Sequence, residues 1–266
     1  MAIKSNMKFV SGIILKLAMF FLLFLHGQVV AAGLSKNGTD PSEPRTRIDI
    51  SIAEAQFIAS GDIFGTIING DIAFTDWVSI GVGIPYYYAV LPSAKVSGIG
   101  DINIGFLIRL INKQNKSGFA SFAIGTDVSL NSGDSQNGTG LGQYVSSPYL
   151  IAAFYLGEDF LIAPIIQEYY SFGGTMEAPA LNEMSIRVRN TLSTERGHWF
   201  TLTPEIIIDF KGVYRTRYLL RSTLGYMIDK HWAISGDFVT HLYGDQRFES
   251  IGRLNLRYLF EPAILN

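Results

Sequence analysis

Arginines and carboxylates recur at alternate positions along several stretches of the chain. Arg187 and Arg189 form one such pair, and Glu205 with Asp209 forms an acidic one. The set comprises Arg109, Arg187, Arg189, Glu205, Asp209, Arg215, Arg217, Arg221, Asp237, Arg253 and Arg257. Because a guanidinium binds carboxylates and other anions through paired hydrogen bonds, this set can either bind an anion or form ion pairs between neighbouring strands.

Both interpretations of the charged set remain open from the sequence. A narrow interior favours an ion-pair ladder, because unpaired charge is costly there. The carboxylates expected to face the arginines are Asp101, Asp127, Glu205, Asp209 and Asp237. Since inward arginines outnumber them in this assignment, a water-filled passage through the same interior is expected to prefer anions.

Catalytic and metal chemistry find little support in the residue pattern. The chain has no cysteine and four histidines, none at zinc-ligand spacing. His241 and Asp237 share one face of a predicted strand but lie about 13 Å apart by strand rise, too far for a hydrogen bond. We therefore expect no enzyme activity, no metal and no cofactor.

The elements that position these side chains are β-strands. Apolar Leu254 and Leu256 alternate with Arg253, Asn255 and Arg257, and similar alternation recurs along the chain, whereas helical spacing is missing. We predict twelve strands, at residues 48–58, 61–74, 77–90, 99–111, 119–130, 143–156, 160–172, 184–194, 199–210, 214–228, 232–243 and 247–260. Twelve is an even number, as single-chain bacterial barrels require.

Tight polar turns alternate with links that are mostly longer, which is the arrangement of outer-membrane barrels. The five tight turns centre on Asp76, Lys116, Glu158, Arg196 and Lys230. An aromatic residue opens the strand after each of them: Trp77, Phe119, Phe160, Trp199 and Trp232. Since aromatic rings favour the boundary between hydrocarbon and headgroups, we predict an interface belt at one rim.

The N-terminal region has the pattern of an export signal. Lysines precede an apolar run at residues 17–25 and a small-residue stretch that ends at Ala32. We therefore predict a cleaved signal peptide over residues 1–32, a flexible lead-in over 33–47, a transmembrane antiparallel up-and-down β-barrel over 48–260 and a C-terminal tail over 261–266.

Three short segments carry a resemblance to a known family. They are residues 82–86 (VGIPY), 97–105 (SGIGDINIG) and 202–206 (LTPEI). The chain resembles the outer-membrane family labelled "MetA-pathway of phenol degradation" over about residues 48–260. The resemblance implies a barrel transporter that passes small aromatic or other apolar molecules.

Together these features predict a barrel in the bacterial outer membrane for passive or facilitated passage of small, aromatic or anionic solutes. The expected partners are outer-membrane lipids, a small-molecule solute and the barrel-assembly machinery, since the last strand ends at Phe260. A net charge of −2 argues against nucleic-acid binding. Two alternatives remain: a plugged structural or surface-interaction barrel, and a soluble secreted β-sandwich or lipocalin-like binder.

Overall fold

The computed structural model describes residues 37–57, 61–90, 95–113, 117–175, 180–211, 216–244, 246 and 248–261. Within these ranges the chain forms β1 (Arg47–Phe57), β2 (Gly61–Thr75), β3 (Val78–Val90), β4 (Lys95–Ile99), β5 (Asn103–Asn112), β6 (Ser117–Ser129), β7 (Gln143–Leu156), β8 (Phe160–Gly174), β9 (Asn182–Ser193), β10 (His198–Asp209), β11 (Thr216–Met227), β12 (Trp232–Gly244) and β13 (Phe248–Leu259). No helix in the described part of the chain is long and apolar enough to cross a membrane. The predicted signal peptide and residues 262–266 of the predicted tail lie outside the described residues.

Antiparallel pairing closes these strands into one barrel. From β1 the order runs through β13 and then down the chain to β5, and it returns through β3 and β2 to β1. β4 and β5 both pair with β3, one on residues 86–90 and the other on residues 78–83. The predicted barrel of twelve strand positions is therefore confirmed, with one extra strand: β5 occupies most of the predicted strand at 99–111, and β4 lies almost wholly ahead of it.

The two faces of the wall differ as the alternation predicted. In β13, Leu254 and Leu256 are exposed on the outside, whereas Arg253, Asn255 and Arg257 line the interior. A β-sandwich would cover the apolar face with a second sheet, but here a single closed sheet leaves it exposed. The soluble-sandwich alternative is therefore excluded, and the polar interior does not suit a carrier of apolar ligands.

Residues 37–46, which we call the plug, fold into the barrel ahead of β1. Asn37, Thr39, Asp40 and Ser42 are all buried. Asn37 Oδ1 accepts hydrogen bonds from the Thr39 amide and hydroxyl, and Asp40 Oδ1 accepts the same pair from Ser42. These local turns satisfy polar groups that would otherwise be costly to bury. Residues 37–46 of the predicted lead-in thus lie packed inside the barrel.

Long-range contacts hold the plug against the strands around it. The Ser121 hydroxyl on β6 donates to Ser42 Oγ at 2.6 Å, and the Tyr155 hydroxyl on β7 donates to Asp40 Oδ2 at 2.6 Å. Asn37 Nδ2 donates to Ser193 Oγ on β9 at 3.0 Å. Across the barrel from β7, Arg257 NH1 on β13 donates to the Gly38 carbonyl at 3.0 Å. The plug therefore crosses the barrel interior.

Candidate functional site

One group of ion pairs lies where β1, β2 and β13 meet. Arg47 Nε lies 2.7 Å from Asp71 Oδ2 and 3.2 Å from Asp49 Oδ2. Arg257 Nε donates to the other oxygen of Asp49 at 2.6 Å, and its NH1 reaches the Gly38 carbonyl of the plug at 3.0 Å. Register explains the contact, since Asp49 is the neighbour of Arg257 across the β1–β13 pairing.

A second group of ion pairs lies on β9, β10 and β11. Glu205 is buried, and its carboxylate lies 3.5 Å from Arg187 NH1 and 3.5 Å from Arg221 NH2. The Ser185 hydroxyl also donates to Glu205 Oε1 at 2.5 Å. Arg187 extends the group to β8, because its NH2 donates to Gln167 Oε1 at 2.7 Å. These contacts link side chains of the four neighbouring strands β8 to β11.

Arg189 and Arg253 differ from the arginines in these groups. The buried Nε atom of each has no hydrogen-bond partner, and neither side chain has an ion pair with any described residue. Both line a polar cavity of about 240 Å³. Asp237 lines the same cavity, but its oxygens already accept hydrogen bonds from Thr223 Oγ1 at 2.6 Å and Asn255 Nδ2 at 2.8 Å.

A second cavity, of about 180 Å³, lies between the plug and the wall formed by β1, β2, β3, β5, β6 and β7. Its lining includes Asp71 and Asp127 from the wall and Asp40 and Glu43 from the plug. Arg45 pairs with Glu43, with 2.8 Å between NH2 and Oε2. Burial raises the pKa of the Glu43 carboxyl above its usual 4.5, although the neighbouring Arg45 acts in the opposite direction.

The remaining predicted lumen residues have separate roles. Arg109 is buried, and its Nε donates to the Ser42 carbonyl of the plug at 3.0 Å. Asp209 ends β10, where its Oδ1 accepts the Lys211 amide at 2.8 Å. Arg217 pairs with Glu183, with 2.5 Å between NH2 and Oε2. Arg215 lies outside the described residues.

The inward charge balance differs from the sequence-based assignment. Asp101 is engaged by a loop and not by an arginine, because its oxygens accept the amides of Gly133 at 2.9 Å and Leu141 at 2.7 Å. Further carboxylates that the prediction left out pair with the interior arginines or come from the plug: Asp40, Glu43, Asp49, Asp71 and Glu183. Any anion preference must therefore come from local unpaired arginines and not from an overall arginine excess.

Four of the five predicted interface aromatics lie on the outer side of the wall. Trp77 and Trp232 are 47% and 41% exposed, and the Trp232 ring packs edge-on against Tyr258 at 4.8 Å. Phe119 packs against the exposed Phe154 at 5.5 Å. Phe160, half-buried, lies on the face of β8 that also carries the exposed Ile166.

Trp199 corrects the prediction of a complete aromatic belt. It is only 4% exposed and packs inside the barrel with Met227, Ala233 and Leu259. Gly225 on the neighbouring strand β11 lies beside the ring, and only glycine fits there, because a Cβ at this position would lie 2.0 Å from the indole. The indole therefore borders the arginine-lined cavity instead of the lipid.

The one histidine–carboxylate pair that the sequence brought into question, His241 and Asp237, is not joined by a hydrogen bond in the structure. No group of three or more metal-ligating side chains is present in the described part of the chain. His241 Nε2 has no hydrogen-bond partner, and Asp237 is bonded to Thr223 and Asn255 instead.

The functional residues that the prediction missed had only partial signals in the sequence. Asp49 and Asp71 belong to alternating strands and could have been assigned inward by parity. Trp199 shares parity with Thr201 and Thr203, which also favours an inward position. The plug has no such signal, because its residues are those of ordinary turns.

No family model and no curated protein matches this sequence. The resemblance to the phenol-degradation family therefore stays a prediction.

Solved structures of outer-membrane proteins share the fold. The COG4313 outer membrane channel from Pseudomonas putida F1 aligns with a TM-score of 0.64 at 10% identity, over 82% of this chain and 97% of that one. The NanC porin aligns with 0.60 at 8% identity, over 80% and 99%. The KdgM porin in complex with disordered oligogalacturonate aligns with 0.55 at 14% identity, over 81% and 99%. At these identities the likeness is one of fold: this chain has a porin-like barrel.

Proposed function

We propose that this protein resides in the bacterial outer membrane and provides passive or facilitated passage for small solutes through its arginine-rich lumen. The observation that carries the proposal is the distribution of side chains on the barrel wall, which is the reverse of that in a soluble protein. Apolar side chains are exposed outside, and charged and polar side chains line the interior around two cavities. A lipid bilayer accepts such a surface, because a closed barrel leaves no strand edge unpaired. The fold shared with NanC and KdgM, and the oligogalacturonate in the KdgM complex, support a small-molecule solute.

Export and assembly follow from the same proposal. A signal peptide over residues 1–32 would deliver the chain to the periplasm, where the barrel-assembly machinery would recognise the end of β13. Phe260, just after that strand, is exposed and packs edge-on against Tyr258 at 4.7 Å. Outer-membrane lipids would then surround the belt formed by Trp77, Trp232 and their neighbours.

In this proposal the solute is a small anion. Aromatic solutes are a second class, which only the family resemblance suggests. Arg189 and Arg253 support an anion because they are the inward arginines whose Nε atoms are buried without partners among the described residues. The paired arginines serve as the ladder that holds the wall. Both of the interpretations left open by the sequence thus apply, each to different residues.

The plug supports a second candidate, a closed barrel with a structural or surface-interaction role. Residues 37–46 contact opposite sides of the wall, at Tyr155 on β7 and at Arg257 on β13. In the channel proposal a solute passes beside the plug or displaces it. In the alternative the plug stays in place and nothing passes.

Electrical recording separates the two candidates. Purified protein is inserted into planar bilayers, and a heat-dependent shift on a detergent gel confirms that it is folded. A channel gives discrete conductance steps, a reversal potential on the anion side, and swelling of liposomes in organic acids. A folded barrel without conductance would overturn the channel and support the structural role.

A further inference from the structure

We propose that the cavity lined by Arg189 and Arg253 is a binding site for a small hydroxycarboxylate, an inference that rests on the proposed passage of anions and names the class of solute. The cavity lies inside the barrel against β1, β2 and β9 to β13, with the Trp199 indole on its wall. Its volume of about 240 Å³ is below the roughly 300 Å³ at which pockets for drug-sized ligands begin. The site therefore suits a small molecule.

The charge of the ligand follows from which donors remain available. Arg257 is bonded to Asp49 and to the plug, and Arg221 lies 3.5 Å from Glu205. Arg189 and Arg253 have no such partner among the described residues, and their Nε atoms are buried. A buried donor without an acceptor is costly, and an anion between the two side chains removes that cost.

The carboxylate across the strand pairing from Arg253 does not fulfil this role. Asp237 is the cross-strand neighbour of Arg253. Its oxygens are instead engaged by Thr223 Oγ1 and Asn255 Nδ2. The wall thus holds Asp237 by hydroxyl and amide groups, which leaves the guanidinium of Arg253 available to a ligand.

The other residues that line the cavity indicate which functional groups the anion has besides its charge. Hydroxyl side chains from three neighbouring strands line the cavity: Thr201, Thr203, Thr223 and Ser235. Asn69 adds an amide on the opposite side. Thr223 already donates to Asp237 and Thr201 is bonded to Thr191, but a hydroxyl oxygen can accept a further hydrogen bond. A ligand with hydroxyl groups can therefore bond to this wall, whereas a hydrocarbon chain cannot. A hydroxycarboxylate matches both the arginines and the hydroxyls.

Equilibrium binding to folded protein in detergent tests the site without requiring transport. Trp77→Phe and Trp232→Phe leave Trp199, on the cavity wall, as the source of indole fluorescence. Gluconate is the probe, with glucose lacking the charge and hexanoate lacking the hydroxyls. Calorimetry of the same titrations detects binding that leaves the emission unchanged.

We expect saturable binding of gluconate, with glucose and hexanoate each about tenfold weaker or more. Arg189→Gln and Arg253→Gln should each weaken gluconate about tenfold without changing the response to glucose, because each removes one charge-assisted contact. Arg196→Gln is the matched control, since it removes the same charge from an exposed turn. All variants are first checked for the heat-dependent gel shift.

Three results would overturn the proposal: no heat and no emission change with gluconate, equal binding of hexanoate and gluconate, or equal weakening by Arg196→Gln. The outcome is separable from that of the proposed function. Conductance without gluconate binding removes the site and leaves the channel, whereas gluconate binding without conductance removes the channel and leaves the site.

Discussion

Arg217 and Glu183 form a two-pronged ion pair that passes over an intervening strand. NH1 lies 3.2 Å from Oε1 and NH2 lies 2.5 Å from Oε2, and both side chains are buried. Arg217 belongs to β11 and Glu183 to β9, with β10 between them. The pair therefore ties together strands that share no backbone hydrogen bonds.

Loss of one partner should weaken the barrel more than loss of both. Arg217→Ala removes a two-pronged counter-ion from the buried Glu183 carboxylate, and breaking a buried pair in this way costs about 3–5 kcal/mol. Arg217→Met combined with Glu183→Leu replaces the pair by apolar groups, so we expect a smaller loss or none. Urea unfolding in lipid vesicles measures both. Equal destabilisation by the single and the double variant would show that the ion pair itself is not the cause.

The wall of the barrel could be predicted from sequence because its pattern is local. Leu254, Leu256 and Arg253 alternate over a few residues, and the side-chain period of two assigns each one to a face. The break at residues 100–102 was missed because the apolar alternation continues across it. The break follows from the Asp101 carboxylate, which holds the Gly133 and Leu141 amides of a distant loop.

The candidate site was less predictable because its contacts join distant parts of the chain. Ser42 meets Ser121, and Asp40 meets Tyr155, across 79 and 115 residues. Which arginines lack partners depends likewise on carboxylates brought in by other strands, such as Asp49 for Arg257. The alternation of side chains along a strand predicts which of them point into the barrel, but it does not predict which residues they pair with.

The packing of Trp199 against Gly225 should tolerate no added methyl group. A Cβ at Gly225 would lie 2.0 Å from the indole, whereas one at Gly70 meets nothing within 4 Å. We expect Gly225→Ala to destabilise the barrel by about 1–3 kcal/mol through overpacking, and Gly70→Ala to have little effect. Urea unfolding compares the two. A stability of Gly225→Ala equal to that of Gly70→Ala would argue against the inward position of Trp199.

Brominated lipids should distinguish the three tryptophans. In variants that keep one tryptophan each, with phenylalanine at the other two positions, Trp77 and Trp232 should be quenched by bromine on the acyl chains, because both are exposed on the outer wall. Trp199 should keep its emission, because it lies inside the barrel. Equal quenching of all three would place Trp199 in the belt after all.

The plug should be released more readily as the pH rises. Burial is the largest effect on the pKa of Glu43 and raises it, and the neighbouring Asp40 acts in the same direction. Arg45 and Arg109 act in the opposite direction, but the pKa remains raised. The packed plug thus binds the Glu43 proton more tightly than the released plug does. This contribution is complete below the ordinary pKa of 4.5 and is lost as the pH rises through the raised value. Open probability in planar bilayers should therefore increase across this window. Glu43→Gln should flatten that increase, and an unchanged profile in this variant would assign the effect to another group.

A reversible lock on the plug tests passage through the lumen most directly. The chain has no cysteine, and the Ser42 and Ser121 hydroxyl oxygens lie 2.6 Å apart, so Ser42→Cys with Ser121→Cys can form a disulfide without large movement. We predict that conductance in planar bilayers is lower in the oxidised protein and recovers on reduction, while each single cysteine variant is insensitive to reductant. Equal conductance in the oxidised and reduced states would contradict passage controlled by the plug. Absence of conductance in both states, with the barrel folded, would contradict the channel itself.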